Sequence, residues 1–223
     1  MSLIDNIKKR LSGESGESRM SGESRDGLAV DADDCCRLIV GLGNPGERYT
    51  TTRHNAGFWA IDSLADKLDV DNWRPGFDSL YAEKKIKLGD ESLRLVLAKP
   101  QTLMNLSGRA VKGLLKHYKL DLEELCVIQD DIDLDSGVLR VKLGGGHGGH
   151  NGIRDIIAAV GSDYIRIKIG VGAPPGRMDS ADYVLQQLKG DALEEFQIDT
   201  SRAADAALFL LEHTLTETQN QFN

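Results

Sequence analysis

The sequence predicts a single α/β domain in which helices cover both faces of a mixed, largely parallel central sheet. Residues 38–40 (LIV) form a short apolar run that stops at a glycine-rich turn, as a buried strand does. Directly after the turn, apolar residues recur at helical spacing over residues 55–67. Strand-like and helix-like segments then continue to alternate along the chain, which is typical of an α/β sheet.

The later elements follow in chain order. Residues 81–88 and 92–98 flank Gly89 and Asp90 and predict a β-hairpin. Residues 103–118 repeat apolar side chains at helical intervals and predict a helix. Beyond them the pattern predicts strands at residues 125–129, 138–143 and 164–171, and helices at residues 153–160, 180–188 and 193–213.

The bulk composition is typical of one soluble globular domain. The chain has 223 residues, of which 40% are hydrophobic and 28% charged, and it has no run of about 18 apolar residues that could cross a membrane. Its formal net charge of −8 argues against a sequence-blind nucleic-acid binder, which usually carries positive charge. A local basic patch is compatible with that value.

The cysteines and the N-terminal segment indicate the cellular compartment. Cys35, Cys36 and Cys126 show no metal-ligand spacing, and an odd number with two adjacent members is a poor disulfide framework. The N-terminal segment has no apolar signal core, and its many acidic residues argue against a transit peptide. These features predict a cytoplasmic protein.

Residues 1–36 are expected to be a disordered N-terminal extension, and residues 37–223 the folded domain. The motif Gly-Glu-Ser occurs three times within residues 12–25, and residues 1–34 carry five basic and eight acidic side chains. Such a composition buries too little apolar surface to offset the entropy lost on ordering.

Residues 41–46 (GLGNPG) match the glycine fingerprint of dinucleotide-binding proteins and follow a predicted strand. That fingerprint requires a helix to begin within the glycines, whereas Pro45 and residues 47–52 (ERYTTT) delay the helix to near Asn55. Asp62 has the spacing of the ribose-binding acid but lies within the helix. What remains is a sharp turn at the sheet edge, with Asn44 either presenting its amide or simply tolerating a left-handed backbone.

His54 lies at the start of the first helix and can titrate near neutral pH. A lone histidine is more often a surface or capping residue. Asp130, however, begins a carboxylate cluster at the end of a second strand, and an aspartate beside an imidazole makes a general base for water. Ser107 could act as a nucleophile but lacks the G-x-S-x-G turn, so direct attack by water is expected.

A second glycine-rich segment, residues 144–152 (GGGHGGHNG), precedes a predicted helix that Asn151 would cap. Its amides suit an anion or an oxyanion, and the absence of Gly-Lys-Ser/Thr excludes a P-loop. His147 and His150, together with the carboxylates that begin at Asp130, have the composition of a metal site. The favoured interpretation of each is a loop histidine bonded to backbone.

Five segments occur in a fixed order: residues 38–46 (LIVGLGNPG), 52–57 (TRHNAG), 102–108 (TLMNLSG), the cluster beginning at Asp130, and 144–152. In this order and with these spacings they closely resemble the bacterial-type peptidyl-tRNA hydrolase family. The resemblance runs from about Arg37 to the C-terminus.

The resemblance implies an esterase that cuts the bond between peptide and tRNA. The family's catalytic base corresponds to His54, and the aspartate that orients it corresponds to Asp130. Met104 can equally be a core residue. The implied substrate-positioning residues are Asn44, Asn105 and Asn151, and the implied pocket residues are Tyr49, Met104 and His150.

The resemblance also implies a site for tRNA phosphate. Lys142 matches a family lysine implicated in this contact, and Arg140, Arg154 and Arg166 lie nearby in sequence. Lys168 stands where the family often has arginine, so it keeps the charge but loses the two-pronged hydrogen bonding. A few such contacts suffice for a clamp on the acceptor end.

Residues 172–180 resemble the family's mobile lid, although a proline-rich connector explains them equally well. Ester hydrolysis needs only an activated water and a stabilised oxyanion, so no metal and no cofactor are expected. The expected partner is peptidyl-tRNA, with no membrane involved and a monomer as the working form. The main rival is a non-catalytic RNA-binding relative, against which His54, Asp130 and the three asparagines argue. A nicotinamide enzyme and a metal hydrolase are two further rivals, which mixing with NADH and treatment with a chelator would test.

Overall fold

The computed structural model of the chain describes residues 35–88 and 91–223. The predicted extension therefore lies outside the described residues as far as residue 34. Within these ranges the strands of the sheet are β1 (Cys35–Gly41), β2 (Arg74–Gly76), β3 (Ser79–Leu88), β4 (Glu91–Pro100), β5 (Leu125–Asp131), β6 (Leu139–Leu143) and β7 (Ile165–Gly170).

The sheet has the strand order β2-β3-β4-β1-β5-β7-β6. Its central strands β4, β1, β5 and β7 run parallel, whereas β2, β3 and β6 pair antiparallel at the two edges. The prediction of a mixed, largely parallel sheet is confirmed. Because β1 and β5 are parallel neighbours, the side chains that follow Gly41 and those that end β5 at Asp131 meet at one sheet edge.

Helices cover both faces of the sheet, as predicted. Helices α1 and α5 share a buried core with Ile39 and Ile128, while α2 and α3 share another with Val40 and Val127. Adjacent strand residues enter different cores because side chains alternate along a strand. The helices are α1 (Ala56–Lys67), α2 (Ser107–Tyr118), α3 (Asn151–Val160), α4 (Ser180–Val184), α5 (Asp191–Glu212) and α6 (Leu215–Phe222).

Two elements escaped prediction, and one is shorter than expected. Strand β2 is three residues long and contains Pro75, so it offers no periodicity. Helix α6 has few apolar residues, although Thr214 and Glu217 form a capping box that signals its start. Helix α4 ends before residue 188 because Leu188 instead donates its backbone N–H to Thr51. No helix in the described ranges is long and apolar enough to span a membrane.

The glycine fingerprint is explained by close packing between β1 and α1. A Cβ on Gly41 would lie 2.0 Å from the carbonyl oxygen of Gly57, and one on Gly57 would lie 2.1 Å from the backbone nitrogen of Leu42. Leu42 also donates its N–H to Ile128 at 2.9 Å and accepts from Phe58 at 3.2 Å. The glycines therefore let three backbones meet, which brings the turn, the start of α1 and the end of β5 together.

Candidate active site

A cavity of about 660 Å³ opens at the edge where β1 and β5 end. Eight of the ten predicted site residues line it: Asn44, Tyr49, His54, Met104, Asn105, Asp130, His150 and Asn151. The other two, Lys142 and Lys168, lie outside its lining. Residues separated by as many as 107 positions in sequence thus share one concave surface.

Asp130 and two histidines form the floor of the cavity. His54 belongs to a short 3-10 turn (Arg53–Asn55) before α1, and its Nδ1 lies 3.0 and 3.1 Å from the carboxylate oxygens of Asp130. The Nε2 of His150 lies 3.0 Å from the same carboxylate. His54 and Asp130 are buried, so the interpretation of His54 as a surface or capping residue is wrong.

The hydrogen bonds assign the tautomers of both histidines. The Nδ1 of His150 accepts the backbone N–H of Ile153 at 3.3 Å, so the ring proton lies on Nε2 and is donated to Asp130. Asp130 accepts the Nδ1–H of His54 in the same way. The Nε2 of His54 then carries a lone pair, and it bonds to none of the described residues, which is the state a general base requires.

Burial and charge compete in setting the pKa values of this cluster. Burial alone lowers the pKa of His54, but the negative charge and hydrogen bond of Asp130 outweigh it, so the pKa is raised above the ordinary 6.5. Burial alone raises the pKa of Asp130, but the charges of His54 and His150 and their hydrogen bonds drive it well below its ordinary value. Asp130 is therefore a carboxylate throughout the range in which His54 titrates.

His150 lines the cavity, and its interpretation as a loop histidine bonded to backbone describes only one of its two ring nitrogens. Its Nδ1 does bond to backbone, but its Nε2 completes the Asp130 cluster. His150 also takes the N-cap position of α3, which was predicted for Asn151. Asn151 is instead the first helical residue, and its side-chain oxygen accepts a hydrogen bond from the guanidinium of Arg154 at 3.0 Å. His147 behaves as expected, because its Nδ1 accepts the N–H of Gly149.

Asn44 is fixed by hydrogen bonds on both sides of its backbone. Its N–H donates to the side chain of Asn55 at 2.8 Å, and its carbonyl accepts from the same amide at 3.1 Å. Its own Oδ1 accepts the N–H of Met104 at 2.7 Å, which leaves its Nδ2 unbonded to any described residue on the cavity side. Asn44 does not have a positive φ, so the left-handed alternative is wrong.

Met104, Asn105 and Ser107 lie at the N-terminal end of α2. Met104 is buried in the core under α2 and also lines the cavity, so both predicted roles apply. Asn105 is exposed in the cavity wall. Ser107 is fully buried and donates its hydroxyl to the carbonyl of Met104 at 2.8 Å, so it is not placed to act as a nucleophile.

Comparison with known proteins agrees with this geometry. The family model described as Peptidyl-tRNA hydrolase matches residues 38–223. The chain belongs to the peptidyl-tRNA hydrolase family. A peptidyl-tRNA hydrolase of Chloroflexus aurantiacus is 47% identical over 189 residues, covering 83% of this chain and 98% of the relative. One of Pseudarthrobacter chlorophenolicus is 43% identical over 190 residues, covering 83% and 94%.

A solved structure supports the same assignment. The crystal structure of peptidyl-tRNA hydrolase from Acinetobacter baumannii has a TM-score of 0.74 and 35% sequence identity, covering 83% of this chain and 93% of that one. The family resemblance expected from the five segments is thereby confirmed. The peptidyl-tRNA hydrolase fold accounts for the mixed sheet and its helices.

The predicted tRNA-contacting lysines lie on strands β6 and β7, with two arginines. The neighbouring residues of both strands enter the core under α1 and α5, so these four cations lie on the opposite face. The antiparallel register sets Arg140 beside Lys168 and Lys142 beside Arg166. We refer to Arg140, Lys142, Arg166 and Lys168 as the β6–β7 cation face.

Several residues that line the cavity were not predicted as site residues from the sequence. Leu103 and Leu185 form exposed apolar walls, and Gln129 and Asp131 flank Asp130. Helix α4 was predicted as a helix but was given no role in the site. It is held next to the His54 turn by the guanidinium of Arg53, which lies 4.2 Å from a ring centroid in α4.

The cluster also has the composition of a metal site. Donor atoms of His54, Asp130 and His150 lie within 4.8 Å of one another. At 3.0 Å each histidine nitrogen is at hydrogen-bond distance from Asp130, so protons satisfy these contacts. A divalent ion would have to displace both protons, which makes the expected absence of a metal testable with a chelator.

Proposed function

We propose that the chain hydrolyses the ester bond between peptide and tRNA in peptidyl-tRNA through water activated by His54 and Asp130, releasing free tRNA. The single observation that carries the mechanism is the hydrogen bond from the His54 imidazole to the buried Asp130 carboxylate at the cavity floor. Family membership supports the reaction class, and the cavity supports the position at which it occurs.

The proposed reaction begins with a water molecule at the Nε2 of His54. Nε2 takes a proton from the water as its oxygen attacks the ester carbonyl, and Asp130 stabilises the imidazolium that forms. The tetrahedral intermediate then expels the ribose oxygen, which recovers the proton from Nε2. The products are a tRNA with an intact terminal hydroxyl and a peptide carboxylic acid, which releases its proton to solvent. A positioned general base of this kind contributes about 10²–10⁴-fold to the rate.

Asparagine amides are the proposed donors to the developing oxyanion. The Nδ2 of Asn44 is held in the cavity wall because its Oδ1 is fixed by Met104. Asn105 and Asn151 line the same cavity and present further amide groups. A donor placed before the reaction stabilises the oxyanion without reorganisation, and each contributes on the order of 3 kcal/mol.

The two ends of the substrate would occupy chemically different surfaces. Apolar side chains of Leu103, Met104, Val184 and Leu185 line the cavity and suit a peptide. The β6–β7 cation face suits RNA phosphates, with Lys142 and Lys168 as the proposed contacts. A local cation face explains how a chain with a net charge of −8 can bind tRNA.

We place the enzyme in the cytoplasm as a monomer without metal or cofactor.

The rival function is RNA binding without catalysis, and product analysis separates the two. The purified chain is incubated with N-acetyl-aminoacyl-tRNA, and free N-acetyl amino acid and rechargeable tRNA are measured. The proposal predicts stoichiometric release of both, because only the ester is cut. Tight binding of the tRNA without release of the amino acid would establish the rival, and shortened RNA would indicate a nuclease.

A further inference from the structure

The members of the β6–β7 cation face are not equally available to a ligand. Arg166 is buried and donates to the carbonyl oxygens of Gly145 and Gly146 at 2.6 and 2.7 Å, so it serves the glycine loop. The side chains of Arg140 and Lys142 form no ion pair or hydrogen bond with any described residue. Lys168 differs from both, because it forms an ion pair with Asp131.

Asp131 connects the cation face to the cavity. It is the last residue of β5 and, by strand alternation, lies on the same face of the sheet as Lys168. Its side chain is buried and lines the cavity. Its Oδ1 accepts the backbone N–H of Asp133 at 2.9 Å, while Oδ2 contacts Lys168. The carboxylate is therefore held in place, and Lys168 is held by it.

We propose that Asp131 keeps the affinity for free tRNA low by competing with RNA phosphate for Lys168. Carboxylate and phosphate bind an ammonium group through the same charge-assisted hydrogen bonds. A phosphate that approaches Lys168 must share or displace Asp131 and also meets its negative charge. Lys168 carries a point charge without the two-pronged geometry of arginine. It is therefore poorly suited to bind the Asp131 carboxylate and a phosphate at the same time.

The consequence concerns product release. The deacylated tRNA carries the same phosphates as the substrate but has lost the peptide that fills the cavity. When that tRNA leaves, the ion pair between Asp131 and Lys168 forms again, which favours dissociation. This inference rests on the proposed function, since it takes peptidyl-tRNA as the substrate.

The test measures the Kd for deacylated tRNA over a series of salt concentrations. Asp131→Asn is expected to lower the Kd about twofold to fivefold at low salt, the range that a single partly exposed ion pair spans. The log–log salt dependence should steepen by roughly one phosphate contact. Product inhibition by tRNA should strengthen by the same factor. Asn at this position retains the oxygen that accepts from Asp133, and thermal unfolding checks that the fold is kept.

Two further variants test whether the tighter binding of tRNA by Asp131→Asn comes from the release of Lys168. Adding Lys168→Ala to Asp131→Asn should abolish the gain, because the released ammonium is absent. Asp205→Asn changes the net charge equally by freeing Lys67 on the α1–α5 side, and it should leave the Kd unchanged. An unchanged or raised Kd for Asp131→Asn overturns the proposal, as does a gain that persists without Lys168 or that Asp205→Asn reproduces.

Failure of this proposal is distinguishable from failure of the proposed function. If the wild-type chain releases no N-acetyl amino acid, the proposed function fails, whereas the binding series still decides whether Asp131 limits the affinity for tRNA. If the wild type is active and Asp131→Asn binds tRNA no more tightly, only the role of Asp131 fails.

Discussion

Replacing Asp130 by asparagine should stop His54 from acting as a general base, while the shape of the site stays the same. Asp130 accepts one N–H from His54 and one from His150. Asparagine has a single acceptor oxygen, and His150 cannot change tautomer freely because its Nδ1 accepts from Ile153. The new amide group therefore turns its N–H₂ toward His54. The Nδ1 of His54 then accepts this hydrogen bond, and the ring proton moves to Nε2. Nε2 no longer has the lone pair that would take a proton from water. A wrong tautomer of this kind lowers kcat by up to about 10⁴-fold.

The same substitution should move the acid limb of the activity profile. The negative charge and hydrogen bond of Asp130 are what raise the pKa of His54 against the lowering effect of burial. With the carboxylate gone, burial dominates and the pKa of His54 falls below 6.5. Wild-type kcat/KM should therefore decline as pH falls through a value above 6.5, whereas the residual activity of Asp130→Asn should persist to lower pH.

The assay is release of N-acetyl amino acid from N-acetyl-aminoacyl-tRNA, measured across the acid and neutral range. Asp133→Asn is the matched control, since it removes an exposed carboxylate three residues along that does not line the cavity. It should leave both the rate and the acid limb near those of the wild type. The reasoning is refuted if Asp130→Asn stays within tenfold of the wild type or if its acid limb does not move.

Three other substitutions and one chemical treatment give further tests. His150→Ala removes one of the two donors to a buried carboxylate, so kcat should fall and the free energy of unfolding should drop by about 1.5–3 kcal/mol in urea titrations; unchanged stability would contradict the cluster. Asn44→Ala removes a proposed oxyanion donor and should lower kcat about 10²-fold with little change in KM, whereas a change in KM alone would make it a ground-state contact. Gly57→Ala should destabilise the fold by several kcal/mol, because its Cβ would lie 2.1 Å from backbone; a normal melting temperature would contradict the packing. Activity should survive dialysis against a chelator, and loss restored by zinc would show that the cluster holds a metal.

Elements with strong periodicity could be predicted from the sequence, and those that depend on distant contacts could not. The bounds of α1 were predicted within a residue because its apolar spacing is regular. The end of α4 depends on Leu188 pairing with Thr51, a contact across 137 positions that no local pattern encodes. The capping box at Thr214 was the local signal for α6, and it was present in the sequence.

The chemistry of the site was predictable at the level of residue types but not of contacts. His54 and Asp130 could be paired because parallel neighbouring strands end at one edge. The second partner of Asp130 could not be predicted, because the Nε2 of His150 reaches it only after the helix cap fixes the ring. The ion pair of Lys168 was also invisible, since charge spacing along the chain does not show which strand neighbours share a face.

The most direct test of the central claim compares His54→Ala with His117→Ala, which replaces a histidine exposed on α2. Both variants and the wild type are assayed for hydrolysis of N-acetyl-aminoacyl-tRNA under saturating substrate, with binding of deacylated tRNA measured in parallel. The account predicts that His54→Ala loses at least about 10²–10⁴-fold in kcat and still binds tRNA, while His117→Ala behaves like the wild type. Near-normal turnover by His54→Ala would contradict water activation by this residue.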